Sequence, residues 1–487
     1  MKMKLKRSSQ TTLVITGFII NAQNFHRRRR QTHKQFSKLM DGRDCNKRTK
    51  RECGSGFRVD RISGLPDEII YIILSFLPLR QAAATSLLSH RWQHLWKHTS
   101  NLDFYDPHTI VINRNSWRAE TCRHVKIVNL VLESHQALFI KQFTISIYVN
   151  KSAHSTITKW LKFAQLRRVE RLDLNFHCMN LSGRRAVVLE DLVREMRPMK
   201  YLKALSLDTM KVSGQDISYF LKSCPLLREL NITTSSFTSD VHVFGDLEIL
   251  RIRGCIFRKF AIEISAPHLY EVVADSYELI SDAKTGALRF KNVPRLAIAS
   301  LEIGNLRYNA ANFASAVSCF TSHLQKLILF IPSSKHKIFL RERLPHMPNL
   351  KELYVVVSCY HVHHCIVPVT SIISACPRLQ MFTFKFYICE DIERFPGEFS
   401  KYYLQTYGCK RSHVFECPHQ RLRMLKFQGS CATDIIKSMT YISTCCDAYQ
   451  KINTCTPHMS ETEAQAHIGH MQQLQSQLPH QVEFEFR

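Results

Sequence analysis

Four ligating side chains crowd one short stretch of the chain, His361, His363, His364 and Cys365. Imidazole and thiolate together form a donor set that transition metals accept. Their spacing works against a shared ion. On a strand His361 and His363 take one face while His364 and Cys365 fall on two, and no second cluster completes a tetrahedral set. Cys445 and Cys446 are neighbours, a spacing that rarely closes a disulfide, and no thiolate-stabilising set surrounds them. The 17 cysteines are scattered without a close C-x-x-C pair, so they read as reduced thiols packed as small hydrophobes. Three of them, Cys224, Cys376 and Cys417, stand directly before a proline. No nucleophile elbow, phosphate-binding glycine loop or H-E-x-x-H helix occurs, and only 15 glycines are present. The sequence therefore predicts no catalytic residue, no metal site and no cofactor.

If the chain does no covalent chemistry, its work is binding, and the elements that position its surfaces matter more. With 487 residues, 45% hydrophobic and 22% charged, the chain is long enough for one small module and one large domain. A formal charge of +27 invites a nucleic-acid or acidic-membrane partner. Its distribution argues otherwise: residues 1–60 hold 16 Lys/Arg against 4 Asp/Glu, and the remaining excess is spread thinly. Residues 1–58 show no sustained period and are expected as a disordered basic tail, either a nuclear-import patch or a solvated leader. Within it, Leu13–Ile20 follows basic residues as a weak secretory signal would, but Thr16 and Gly17 interrupt it and Arg27–Arg30 follow. Met40 is an alternative start. No apolar run reaches the ~20 residues of a membrane helix.

From Asp60 the text changes. Leu65, Ile69, Ile72, Ile73, Phe76 and Leu77 recur at helical spacing behind Pro66, which suits a first helical turn, and Pro78 ends the run. A second helix is predicted from about Arg80 to Leu88, and a third carrying Trp92, Leu95 and Trp96. Three short helices in about 40 residues enclose a small core and leave apolar surface for a partner to cover.

The segments Leu65-Pro66-Asp67-Glu68, Ile73-Leu74-Ser75-Phe76-Leu77-Pro78 and Thr85-Ser86-Leu87-Leu88-Ser89, with Arg91-Trp92 and Leu95-Trp96, closely resemble the F-box of plant proteins. The resemblance implies that Leu65, Pro66, Ile69, Ile73, Leu74, Leu77, Leu87, Leu88, Ser89 and Trp92 pack the module internally or face a Skp-type adaptor.

Between about Leu161 and Phe427 an L-x-x-L-x-L pattern returns every ~20–30 residues, a spacing that suits leucine-rich repeats. It is seen at Val169–Leu174, Leu202–Leu207, Leu227–Ile232, Leu247–Ile252, Leu324–Leu329, Leu350–Val355 and Leu379–Phe384. Apolar and polar residues alternate, which turns one face of each strand inward. In Phe220–Pro225 and Ile372–Pro377 a returning helix ends at Cys-Pro, with proline halting the helix and cysteine filling a small buried site. Ala287–Leu296 resembles the leucine-rich region of plant F-box proteins that end in an FBD domain. His419–Gly429 resembles the opening strand of that domain, and the text after Ser430 departs from it, so the FBD is partial.

The expected fold class is α/β: a small N-terminal three-helix F-box, then an irregular leucine-rich-repeat solenoid of parallel strands with returning helices or loops. The expected boundaries are a tail over 1–58, the F-box over 60–100, and a linker leading into the repeats over 101–160. The repeat domain with its partial FBD-like end follows over 161–429, and a poorly structured tail over 430–487, with 455–481 rich in Gln and His.

By this resemblance the chain is a non-catalytic subunit of a Skp-cullin-F-box ubiquitin ligase. It would bind the adaptor, and through it a cullin-RING assembly, by the F-box, and an unknown protein target by the repeats, in the nucleus, the cytoplasm or both. Exposed x positions such as Lys203, Arg228, Glu229, Arg251, Lys351 and Glu352 belong to the target-facing surface, although the target-binding residues themselves are unknown. Two other readings stay open: a basic nucleic-acid-associated scaffold, and an F-box protein without a working target face.

Overall fold

The structure is a computed structural model that describes residues 62, 64–105, 117–148, 154–177, 187–194, 196–257, 260–275, 288–302, 317–331, 345–359, 375–388, 421–429, 449–454 and 482–486. The basic tail 1–58, the His361–Cys365 cluster, Cys417, the Cys445–Cys446 pair and residues 455–481 lie outside the described residues. The chain divides into two units, one ending at Asp173 and the other beginning at Leu174.

The first unit opens with the helix Asp67–Ser75, preceded by Pro66 at φ −59°. Asp67 and Glu68 occupy its first turn, where the helix dipole favours negative charge. Pro78 stands ahead of a second helix, Leu79–Ala84. The 3-10 turns Thr85–Leu87, Arg91–Gln93 and Leu95–His98 follow in place of the longer helices that the pattern predicts. Side-chain competition explains the early end of the second helix. Thr85 Oγ1 and Ser86 Oγ each donate to a carbonyl three residues back, Ala82 and Ala83, both at 2.7 Å. Both carbonyls also accept backbone N–H groups at the helix end, so the hydroxyls share them as the chain tightens to 3-10 geometry. Ile70, Leu74, Ala82, Trp92, Leu95 and Trp96 fill the interior of this small module.

Beyond it, the described part of residues 101–160, expected as a linker and the entry to the repeats, contains two strands and two helices. Strands β1 (Asn101–Phe104) and β2 (Gln142–Tyr148) pair in parallel, with Leu102 opposite Phe143, and β3 (Arg171–His177) lies beside β2. The helices Trp117–Ser134 and His154–Leu166 make the crossovers between them.

The second unit repeats one plan with variable length. Its strands in chain order are β4 (Val187–Val188), β5 (Ala204–Asp208), β6 (Met210–Val212), β7 (Glu229–Thr233), β8 (Ser236–Phe237), β9 (Val241–Phe244) and β10 (Ile249–Arg253). Then come β11 (Ile262–Ser265), β12 (Glu271–Asp275), β13 (Leu288–Phe290), β14 (Ile298–Glu302), β15 (Lys326–Ile331), β16 (Glu352–Cys359) and β17 (Met381–Ile388). The last are β18 (Met424–Gly429), β19 (Tyr449–Thr454) and β20 (Val482–Phe486). Neighbours in the main sheet run β5-β7-β10-β12-β14 and then β15 to β20 in order, while β4-β6-β8 and β13-β11-β9 form two small sheets. The registered pairs are parallel throughout. This is the parallel-strand sheet that the leucine pattern calls for. Two of its strands, β19 and β20, fall in residues 430–487, where little regular structure is expected. Val482, Phe484 and Phe486 alternate there with Glu483 and Glu485 at strand period.

A backbone device recurs ahead of the strands. Lys203 O accepts from the N–H groups of both Arg228 and Glu229, Arg228 O from Glu248 and Ile249, and the same double contact continues as far as Gln380 O with Arg423 and Met424. From one accepting residue to the next the step is as short as 20 residues, from Arg228 to Glu248, and as long as 29, from Lys351 to Gln380. Strand starts thus stay aligned while the returning segments vary.

The turns that deliver five of these strands also share one chemistry. In Cys224-Pro225-Leu226-Leu227 the Leu227 N–H donates to Cys224 O at 3.0 Å, and in Cys376-Pro377-Arg378-Leu379 the equivalent bond is 3.1 Å. Ala266–Leu269, Val293–Leu296 and Met347–Leu350 close the same way, each with proline second and leucine fourth. Proline presets φ at the second position of such a turn. The first and fourth side chains of all five turns are buried.

Candidate functional site

The helix Asp67–Ser75 has two apolar faces. Ile70 and Leu74, one turn apart, are 0% and 1% exposed and form the inner face. Ile69, Ile72, Ile73 and Phe76 recur at i, i+3, i+4 and i+7 on the other side, where all four are exposed and Phe76 reaches 83%. Leu87 and Leu88, at 54% and 68%, add apolar area around the turn Thr85–Leu87. Large apolar side chains left exposed together on one helix face mark a surface that a partner covers.

The ten residues singled out in the sequence separate by burial. Pro66, Ile69, Ile73, Leu87, Leu88 and Ser89 are exposed, and Leu65 and Leu77 are half-buried. Leu74 and Trp92 are interior residues that shape the module without reaching its surface. Ile72 and Phe76, which the helical period includes but the ten leave out, complete the exposed stripe.

Polar contacts hold this surface in place. Arg91 Nη2 donates to Asp67 Oδ1 at 2.6 Å and also to Leu65 O, tying the start of the first helix to the turn Arg91–Gln93. Both side chains are more than one-third exposed, so the ion pair contributes little beyond orientation. The far end of the helix is joined to β1. Ser75 Oγ accepts from Ser100 N–H at 3.1 Å and from Ser100 Oγ at 3.0 Å, and Asn101 Nδ2 donates to Ser75 O at 2.8 Å. Arg167 caps three successive carbonyls, those of His135, Gln136 and Ala137. The patch therefore stands on a support continuous with the first strands.

The second surface is the outward face of the main sheet. On β7 and β10 alternate residues are buried, Leu230 and Ile232 on the first and Leu250 and Ile252 on the second, and the intervening ones face away. On β12 and β14 the outward residues Val273, Ser300 and Glu302 are buried as well. Arg251 spans two strands there, with Nη1 2.8 Å from Glu229 Oε1 and Nη2 2.8 Å from Glu271 Oε1. Lys326 Nζ pairs with Glu352 Oε2 at 2.8 Å and lies over the Tyr354 ring. Lys203, Arg228 and Lys351 instead stand just ahead of their strands, where their carbonyls join the backbone ladder.

Beyond the last residue of three strands the chain turns left-handed, at Thr209 (φ 59°), Thr234 (φ 44°) and Gly254 (φ 57°). β-Branched residues rarely adopt that conformation. Both threonine hydroxyls bond Asp208 Oδ1, which holds them there.

Cys224, Cys255 and Cys376 are buried, and burial pushes their thiols up to about 11, 12 and 12. Burial of this kind disfavours the thiolate, which is the reactive form. Among the described residues no group of three or more His, Cys, Asp or Glu is placed to hold a metal ion, and no helix is long and apolar enough to cross a membrane.

These features define an F-box module followed by a parallel repeat sheet, and residues 62–103 match the F-box domain family. The chain is similar to plant F-box/LRR-repeat and FBD-associated F-box proteins. An F-box protein of Arabidopsis thaliana is 29% identical over 244 residues, which cover 48% of this chain and 59% of that protein. An FBD-associated F-box protein of the same plant is 37% identical over 116 residues, covering 24% and 25%. An F-box/LRR-repeat protein, also from Arabidopsis thaliana, is 24% identical over 350 residues, covering 62% and 80%. The chain thus spans between a quarter and about three-fifths of the length of the first two of these relatives.

Proposed function

We propose that this chain is the target-recognition subunit of a Skp-cullin-F-box ubiquitin ligase, binding a Skp-type adaptor through the F-box and a protein target through the repeats. The observation that carries the reading is the exposed stripe Ile69, Ile72, Ile73 and Phe76 on a helix whose opposite face is already filled, within residues matched to the F-box. Helix-in-groove contacts are built from such i, i+3, i+4, i+7 anchors. Pro66, Leu65, Leu77, Leu87, Leu88 and Ser89 extend the docking surface, and Leu74 and Trp92 support it from inside.

The second unit is read as an irregular leucine-rich-repeat solenoid that offers its outward sheet face to the target, with the small F-box counted as a three-helix module. Its boundaries are proposed at 60–100 for the F-box and 161–429 for the repeats, with a basic tail over 1–58. The chain contributes no catalytic group in this reading. It holds a target near a ubiquitin-conjugating enzyme carried by other subunits, which raises the effective concentration of the reacting groups. Its place is the nucleus, the cytoplasm or both.

The test is co-purification of a Skp-type adaptor with the full chain and with an Ile69→Ala/Phe76→Ala variant. The adaptor is expected with the wild type and lost from the variant; equal recovery from both would refute the docking surface.

A further inference from the structure

On the outward face of the main sheet, carboxylates are generally matched by a cation from a neighbouring strand, as Glu229 and Glu271 are by Arg251. Asp208 takes the Thr209 and Thr234 hydroxyls instead, and one pair further along the sheet has no such match. Asp275 ends β12 and Glu302 ends β14, side by side in parallel register, since Ala274 pairs with Leu301. Arg253 reaches Asp275 from the opposite side, Nε to Oδ2 at 3.7 Å, and among the described residues no hydrogen bond or ion pair engages the Glu302 side chain. Yet Glu302 is only 9% exposed. A carboxylate with so little contact with water and no partner among the described residues is costly, and a cation would relieve that cost. Burial raises the pKa of Asp275, and burial followed by the charge of Asp275 raises that of Glu302.

The other flank of Glu302 is apolar. Phe330 on β15 stands opposite it in register, followed by Val356 on β16. An acidic pair beside an aromatic ring fits a long cationic side chain, its head on the carboxylates and its stem along the ring. Arginine fits better than lysine, because a planar guanidinium can bond two carboxylates at once. Arg251 does so one row away, between carboxylates two strands apart.

We infer that Asp275, Glu302 and Phe330 form a subsite for an arginine side chain of the target protein. This deepens, and rests on, the reading of the sheet face as the target-binding surface. One arginine of the target would span Asp275 and Glu302, with Phe330 and Val356 taking its methylenes or the next apolar residue. The charge of the site selects a basic segment and rejects an acidic one.

The experiment uses the full chain bound to its adaptor and, as probe, a phage-displayed library of random dodecapeptides. Selected peptides are synthesised and their affinities measured by fluorescence anisotropy. An arginine fixed at one position is expected, with roughly thirtyfold weaker binding on Glu302→Gln or on replacing that arginine with glutamine, and little further loss when the two changes are combined. Glu302→Lys is expected to select an acidic residue instead. Glu302→Gln keeps the shape of the side chain, and a thermal midpoint no lower than wild type shows that the fold is intact.

Selected peptides without a fixed arginine, or ones that bind Glu302→Gln as tightly as wild type, overturn the inference and leave the sheet face standing as a target site. A library that yields no binder to a complex that still holds its adaptor overturns both. Deleting residues 1–58 decides between a foreign arginine and one from the chain's own basic tail. A gain in peptide affinity of about tenfold or more on deletion, with a synthetic Gln23–Gln35 peptide competing for the site, would assign it to the tail and overturn the target reading.

Discussion

The Nε2–H of His135 donates to the carbonyl oxygen of Thr99 at 3.0 Å, joining the end of the helix Trp117–Ser134 to the last turn of the F-box. His135 is buried, and burial lowers its pKa to about 4 even though the bond to Thr99 acts the other way. The unfolded chain takes up this proton near pH 6.5 and the folded one only near pH 4, so between those values the unfolded state binds more protons. The His135 contribution is thus present above about pH 6.5 and is lost as pH falls toward 4, a loss of roughly 2–4 kcal/mol. Thermal midpoints of wild type and His135→Gln across this window check the point. The difference between the two is expected to narrow with acidification; a constant difference would contradict it.

The two faces of the first F-box helix give opposite outcomes. Leu74→Ala removes an interior side chain and should destabilise the first unit by about 2–4 kcal/mol. Phe76→Ala, at a site almost fully exposed, should leave the melting curve nearly unchanged while weakening adaptor binding by tens-fold. Calorimetry and adaptor titration on the same two variants separate these roles.

Gly214 begins the helix Gly214–Ser223 behind a capping box, in which Asp216 N–H donates to Ser213 Oγ at 3.2 Å and Ser213 N–H to Asp216 Oδ2 at 2.8 Å. A Cβ on Gly214 would collide with the carbonyl oxygen of Asp240, a backbone atom that cannot swing away. Gly214→Ala is expected to cost about 2 kcal/mol or more, the range of core overpacking, and Ser213→Ala about 1 kcal/mol from the lost cap. Urea unfolding of the two variants should rank them in that order.

Cys224 and Cys376 should resist iodoacetamide at about pH 8 in the native protein and react once it is unfolded, because their burial disfavours the thiolate. Cys122 is exposed and provides an internal comparison. Mass spectrometry of the labelled chain reads the sites. Labelling of Cys224 as fast as Cys122 would show that the Cys-Pro turn is not closed in solution.

Much of the repeat architecture was legible because its strands carry their leucines in plain pattern. The seven stretches quoted from Val169 to Phe384 coincide with β3, β5, β7, β10, β15, β16 and β17. Strands β12 and β14 escape the leucine pattern. They keep the same frame, Leu269-x-x-Val272-x-Ala274 and Leu296-x-x-Ala299-x-Leu301, but with valine and alanine at the inner positions. Their signal lay in the turn instead, since Ala266-Pro267 and Val293-Pro294 open them as Cys-Pro opens β7 and β17. The turn X-Pro-x-Leu, of which Cys-Pro is one case, marks both.

The F-box text specified a short helical module, its apolar residues and the prolines that punctuate it, because helical period and proline geometry are local properties. It could not divide Ile69, Ile72, Ile73 and Phe76 from Ile70 and Leu74, since both sets are apolar and share one helix. Only packing against Trp92, Leu95 and Trp96 decides which of them turn inward. The same holds for Glu302, an ordinary acidic residue at the end of a strand until the parallel register sets it beside Asp275 and Phe330. Residue type and spacing determine which elements form. Burial and neighbours across strands, fixed by contacts between residues distant in sequence, decide which side chains remain free to meet a partner.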